Sequence, residues 1–247
     1  LKADYIIANP PFNLKDWRAS DELVDDGRWF GYDIPPTGNA NYGWILHMVS
    51  KLSQNGLAGF LLANGALSGD GIEKDIRKKM VENNLIEAIV LLPRNMFYTT
   101  DISVTLWILN KNKKARTVKN GDISREFRDR EEEILFMNLR STGEPFEKKY
   151  IQFSKSHIHD ISSTYHAWQQ ISNEEDYKDT PEYCHSASLE EVRGKDYTLV
   201  PSKYIEFVNR DENLNYEQKM EQLQKELSHL LKKDEGLKGE LLDIFHE

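Results

Sequence analysis

An α/β fold with a largely parallel sheet is predicted by three observations. Short apolar runs alternate with helix-period stripes between residues 4 and 92, and such alternation argues for parallel strands joined by right-handed crossovers. The next apolar run, 103–109, follows after a loop too short for a crossover, so it must pair antiparallel with its predecessor. The first run, Asp4-Tyr5-Ile6-Ile7-Ala8, stops at Asn9-Pro10-Pro11-Phe12, and paired prolines cannot continue a strand's hydrogen-bond ladder.

Taken in order, the run 4–8 is continuously apolar after Asp4 and reads as a strand buried on both faces. Residues 13–41 combine Asp, Gly and Pro with Trp17, Trp29, Phe30 and Tyr32. They read as a long loop on the rim of a pocket, its rings either anchoring the loop or serving the site. Tyr42, Ile45, Leu46, Val49 and Leu52 recur at helical spacing, with Gly56 as the stop. A strand over 57–62, a helix over 72–81 and a strand over 85–92 closed by Pro93 come next. The loop before strand 103–109 carries Phe97 and Tyr98, which either pack in the core or face a ligand. Lys111-Asn112-Lys113-Lys114, with Arg116 and Lys119, is a local basic cluster, either a solvated loop or a phosphate contact. Residues 122–133 are mostly charged and expected to be exposed, and 134–138 reads as one more strand.

Farther on, Ile158, Ile161, Tyr165 and Trp168 share a helical face. His157 and His159 lack further ligands at recognised spacing, so no metal is expected there. Ser188-Leu189-Glu190-Glu191 reads as a capping box for a short helix that Gly194 stops. Tyr216, Met220, Leu223, Leu227, Leu230, Leu237, Leu241 and Ile244 fit an alternating four-three spacing, interrupted by Asp234 on the seam and Gly236 nearby. That is the stripe of a helix seeking a helical partner. A terminal helix packed on its own domain carries a similar but usually wider stripe.

With 247 residues the chain has ample material for a core in one large domain or two smaller ones. A formal net charge of −9 disfavours a self-sufficient DNA-binding surface, because duplex affinity comes chiefly from neutralising phosphates. The single cysteine, Cys184, excludes an intramolecular disulfide framework and fits a reducing cytoplasm. No apolar stretch approaches the length needed to cross a bilayer, so no membrane role is expected.

A break at the carboxyl end of a parallel strand is where open α/β sheets place ligand crevices. There the Asn9 carboxamide oxygen and the Pro10 carbonyl offer two acceptors for the hydrogens of one amino group. Gripping both turns a delocalised amine toward a nucleophilic geometry, and preorganised acceptors help the transition state most because the nitrogen becomes cationic there. Phe12 is placed to stack on a base drawn out of a duplex. The plainer alternative is that Asn-Pro-Pro only ends a strand.

These residues resemble the N6-adenine DNA methyltransferases, and specifically the modification subunit of type I restriction-modification systems. Asn9-Pro10-Pro11-Phe12 matches that family's catalytic motif. Gly38-Asn39-Ala40-Asn41-Tyr42, Gly59-Phe60-Leu61-Leu62-Ala63-Asn64-Gly65, Phe97-Tyr98-Thr99-Thr100-Asp101-Ile102, Leu106-Trp107-Ile108-Leu109, Tyr165-His166-Ala167-Trp168 and Pro201-Ser202-Lys203-Tyr204 follow in the same order. The tetrad alone is shared with glutamine and other amino-group methyltransferases; the ordered series is more specific.

The resemblance implies the C-terminal half of a Rossmann-like methyltransferase sheet ending in an antiparallel hairpin, then a smaller α+β segment and a C-terminal helix. The corresponding divisions are 1–140, 141–210 and 211–247. It implies Asn9, Pro10, Pro11 and Phe12 as catalytic residues, Phe97 and Tyr98 as candidate base contacts, and S-adenosylmethionine as methyl donor without a metal. The family carries its glycine-rich cofactor loop and ribose-binding acid on strands before the catalytic one. Here Asn64-Gly65 and Ser68-Gly69-Asp70-Gly71 read as turns, so only Asn9 belongs to the cofactor site and the chain is expected to be a fragment, inactive alone. The implied partners are DNA, a specificity subunit docked on the helix 216–244, a second modification subunit and a restriction subunit. Two other readings stay open: a non-catalytic assembly module, and a protein glutamine methyltransferase, against which Phe12 and the long tail both weigh.

Overall fold

The computed structural model describes residues 1–98, 101–121, 123–171, 177–208 and 216–246. Ten strands and five helices are assigned among them: β1 (Ala3–Ala8), α1 (Asn41–Lys51), β2 (Leu52–Ala63), α2 (Ile72–Glu82), β3 (Ile86–Leu91), β4 (Val104–Asn110), β5 (Arg116–Asn120), β6 (Ile123–Phe127), β7 (Glu133–Asn138), β8 (Glu144–Phe146), β9 (Tyr150–Gln152), α3 (Lys155–Gln169), β10 (Cys184–Ser188), α4 (Leu189–Gly194) and α5 (Tyr216–His246). Two compact units result, Leu1–Glu206 and Phe207–Glu247. The first takes in sequence on both sides of residue 140, because β10 pairs with β7.

The α/β sheet has the order β1-β2-β4-β3-β7-β10. β1 is parallel to β2, and β3 to β7. β4 pairs antiparallel with β3, as its short connection requires, and it also pairs antiparallel with β2. It therefore inserts between two strands joined by a crossover, and β1, β2, β3 and β7 share one direction. Beyond the β3–β4 pair the sheet continues through β7, the strand expected over 134–138, and then through β10, for which no strand was expected.

Each face of the sheet carries its own core. Ala58, Phe60 and Leu62 of β2, Trp107 and Leu109 of β4, and Ile86 and Ile89 of β3 face Ile45, Leu46 and Val49 of α1, Ile76 and Met80 of α2, and Val192 of α4. The stacked pair Phe60–Trp107, with ring centroids 6.1 Å apart, forms its centre. The opposite face, through Ala88, Val90, Leu135 and Met137, packs on Trp168, with Ile161 and Tyr165 of α3 partly buried against it.

β1 is not buried on both faces. Ile6 and Ala8 pack on the first core, but Ile7 is 93% exposed and Tyr5 78%. The reason is topological: β1 has a single neighbour and lies at the sheet's edge, where its second face is uncovered. Gly56 does not stop α1 either. The helix passes directly into β2, and Gly56 lies within that strand where the β1–β2 register shifts. A Cβ there would come within 3.0 Å of the Ala3 carbonyl oxygen, so close backbone approach explains this glycine.

The loop 13–40 is anchored by its indoles. Trp29 is buried, and Trp17 donates from Nε1 to the Pro36 carbonyl at 2.8 Å while its ring lies against Gly43 of α1, leaving no room for a side chain at that position. Phe30, by contrast, is exposed. Charged residues 122–133 include one strand, β6, of a hairpin with β5 that periodicity did not signal. His157 serves α3: its Nδ1 accepts from the Ser154 N–H while Ser154 Oγ accepts from the His157 N–H. At α4 only half of the expected box forms, since Ser188 accepts from the Glu191 N–H but the Glu191 carboxylate turns to Lys195 and His185.

The basic cluster is not a phosphate patch as a unit. Lys113 is buried, donating from Nζ to the Ile86 and Glu133 carbonyls at 3.1 and 2.5 Å, and Arg116 donates to the Asn112 carbonyl. Burial pushes the Lys113 amine down to about 8 from 10.5. Below the folded value both folded and unfolded lysines are protonated, and the cost of burying the charge is fully present. As pH rises from about 8 toward 10.5 the folded amine is already neutral while the unfolded one still holds its proton, so stability climbs across that window. The climb is expected to reach about 3 kcal/mol. Lys113→Met should lose that rise; denaturant melts at pH 7 and pH 9.5 that move in parallel for both proteins would contradict it.

Candidate active site

The last ladder pair of β1 is Ala8 with Phe60. Beyond it the Asn9-Pro10-Pro11-Phe12 tetrad leaves the sheet, and its prolines have no N–H to donate. Asn9 and Pro11 are exposed, Pro10 and Phe12 half-buried. The Asn9 carboxamide has no hydrogen-bond partner among the described residues, so its oxygen is free to accept from a ligand. Cavities of 370 Å³ against Thr164 and Tyr183, of 270 Å³ and apolar between the sheet and α3, and of 480 Å³ beside Asp33 and Lys79 are lined by other residues. As an edge strand, β1 has a neighbour on one side only.

What fixes the tetrad is found just past it. Asn13 adopts a φ of 51°, in the left-handed region that asparagine tolerates better than most residues. Its N–H donates to Asn41 Oδ1 at 3.1 Å, and its own Oδ1 accepts from Asn41 Nδ2 at 2.9 Å and from Asn39 Nδ2 at 3.4 Å. Asn41 opens α1 and is 1% exposed, with its N–H capped by Asn39 Oδ1 at 2.9 Å. Asn39 and Asn41 entered the sequence reading only as members of the Gly38-Asn39-Ala40-Asn41-Tyr42 motif, without a role of their own, and Asn13 did not enter it. The local signal for Asn13 is only that an asparagine follows the tetrad.

The ends of β2 and β3 face the same way as the tetrad. After β2, Thr105 Oγ1 donates to Asn64 Oδ1 at 2.6 Å, and the Tyr42 hydroxyl donates to the Ala66 carbonyl at 2.7 Å. Burial pushes that hydroxyl up to about 12, so it stays a donor, and it accepts in turn from Arg77 Nη1. After β3, Phe97 is half-buried against the second-face core, while Tyr98 is 68% exposed and meets Tyr150 edge-on with centroids 4.7 Å apart. Three strand spacings separate β1 from β3, about 14 Å. The tetrad and the Phe97–Tyr98 loop therefore share an end of the sheet.

The profile of the N-6 DNA methylase family matches residues 1–213. The chain belongs to this family. It is 36% identical over 97% of its length to a type I restriction enzyme methylase subunit, HindI, of Haemophilus influenzae, covering 50% of that protein. It is 32% identical over 98% of its length to the MjaIX methylase subunit of Methanocaldococcus jannaschii, covering 41% of it. Among solved structures, the type I restriction-modification methyltransferase subunit from Streptococcus thermophilus superposes with a TM-score of 0.69 at 27% identity, over 84% of this chain and 39% of that one. The chain thus spans about half the length, or less, of the relatives it matches. The family resemblance read from the ordered series of motifs is thereby shown.

Proposed function

We propose that this chain supplies the amine-gripping part of an adenine-N6 DNA methyltransferase within a type I restriction-modification complex. The observation that carries the reading is the free Asn9 carboxamide at the carboxyl end of β1, beside two prolines and a half-buried Phe12. S-adenosylmethionine, when bound, supplies the electrophilic methyl. Asn9 Oδ1 and the Pro10 carbonyl accept the two amine hydrogens, Pro11 stiffens the turn, and Phe12 stacks on the base. Phe97 and Tyr98, rooted about 14 Å away, contact the extruded nucleotide from the far side.

The residues present make one part of a cofactor site. Asn9 is available, but Ser68-Gly69-Asp70-Gly71 leads into α2, whose first turn carries Glu73 and Asp75 and suits no bound anion. The free ladder edge of β1 and the uncovered Tyr5 and Ile7 beside it are a surface on which a cofactor-binding half can pair. In this reading residues 1–140 are the second half of the catalytic domain, 141–210 an α+β segment and 211–247 an assembly helix, and the chain is inactive alone. Transfer of labelled methyl from S-adenosylmethionine to duplex DNA by the assembled methylase, with product in N6-methyladenosine, is the test. Label found only in a peptide glutamine would replace the DNA assignment.

The assembly role has its own support. Tyr216, Met220, Leu223, Leu227, Leu230 and Leu237 of α5 are all exposed, a long apolar seam on a charged helix. Leu241 and Ile244 lie in α5, but their side chains fall outside the described residues. A helix of the specificity subunit is the proposed occupant, with a second modification subunit and a restriction subunit completing the complex. The paired change Leu223→Asp and Leu227→Asp is expected to abolish association with the specificity subunit in size-exclusion light scattering. Surface changes of this kind should alter the chain's own stability by only about 0.5 kcal/mol.

A further inference from the structure

We infer that Asn41, acting through Asn13, is the positioning residue of the catalytic tetrad. The inference rests on the methyl-transfer reading above. Asn9 has no hydrogen bond of its own to aim it, so its direction is set by the backbone at the two ends of the tetrad. One end is the ladder pair of Ala8 with Phe60. The other is Asn13, held by a two-point amide pairing with a side chain that is itself buried in the start of α1. Between these anchors run two prolines whose ring-locked φ angles pass any shift of one end along the segment. The Ala40 N–H, donating to the Leu14 carbonyl at 3.0 Å, ties the next residue to the same helix start.

Each partner has a defined part. Asn41 needs both its oxygen and its amide nitrogen, whereas the Asn13 side chain acts only as an acceptor. Asn13→Asp therefore keeps every side-chain bond and tolerates the left-handed φ. Asn13→Gly keeps the backbone but removes the acceptor, and Asn41→Ala removes both contacts to Asn13.

The experiment measures methylation of duplex DNA by the methylase assembled with its partner subunits, together with its affinity for S-adenosylmethionine and DNA. Asn41→Ala and Asn13→Gly are expected to lower kcat by roughly 10²-fold, the usual consequence of misplacing a reacting group by about 1 Å. KM for DNA and cofactor affinity should stay within about threefold, because the contacts to both ligands remain. Asn13→Asp should retain near-parental kcat. If Asn41→Ala does not fold, the exposed Asn13→Gly carries the result alone. Parental kcat in Asn13→Gly, or an equal loss in Asn13→Asp, overturns the inference. Asn9→Ala separates its failure from that of the underlying reading: if that variant methylates DNA normally, the tetrad is not the site at all.

Discussion

Asn9→Ala is expected to lower methyl transfer by about 10²–10³, equivalent to roughly 3–4 kcal/mol of transition-state stabilisation. The loss should fall on kcat. On the proposed reading the carboxamide oxygen grips an amine hydrogen whose acidity rises as the methyl arrives, so the bond strengthens in the transition state more than in the bound substrate. The structure makes this a clean experiment, because Asn9 is exposed and its side chain has no partner among the described residues. Melting temperature and partner assembly should therefore be unchanged. Single-turnover methylation of a duplex with one target adenine measures the effect; a variant as fast as the parent would remove the carboxamide from the mechanism.

The largest loss of stability is expected at Glu87. Its carboxylate is fully buried under the second face of the sheet, where it accepts from Asn110 Nδ2, from Gln169 Nε2 at 2.5 Å and from the Tyr165 hydroxyl at 3.1 Å. Arg130 Nε lies 3.6 Å from it, also fully buried, with no hydrogen bond of its own at that nitrogen. Glu87→Gln keeps the shape and strips the charge, leaving Arg130 positive in an apolar setting. Breaking a buried pair from one side costs about 3–5 kcal/mol. For a chain of this size that corresponds to a melting point lower by on the order of 10 °C. Arg130→Met combined with Glu87→Gln should recover part of the loss, since the stranded cation is then gone. Equal melting points for parent and Glu87→Gln would show that the pair contributes nothing.

Much of the first unit was legible locally. The stripe of Ile45, Leu46 and Val49 reappears as the face of α1 on the core, and the run 85–92 reappears as β3, buried along its whole length. Both patterns are set by neighbours in sequence, where side-chain direction alone identifies the element. Gly56 and Lys113 were misread for the opposite reason. A glycine after a helical stripe and a lysine among lysines carry their ordinary meanings until a strand from elsewhere lies beside them. The Ala3 carbonyl against Gly56, and the Ile86 and Glu133 carbonyls around Lys113, come from distant parts of the chain. The Asn9-Pro10-Pro11-Phe12 tetrad was visible because its residues are contiguous. The pairing of Asn41 with Asn13 was not, because the two lie 28 residues apart.

Sequence by itself determined the α/β alternation, the antiparallel return of β4, the proline-stiffened turn that presents Asn9, and the seam along α5. These follow from backbone restriction and from the 2.0 and 3.6 periods, which need no knowledge of distant contacts. Tertiary structure alone decided that β4 inserts between β2 and β3, that β1 stands at an edge with Ile7 bare, that Glu87 gathers a buried polar network, and that Asn13 is held by Asn41. Strand order and buried polar pairing arise from groups far apart in the chain that must satisfy one another once water is excluded. No local pattern records that requirement.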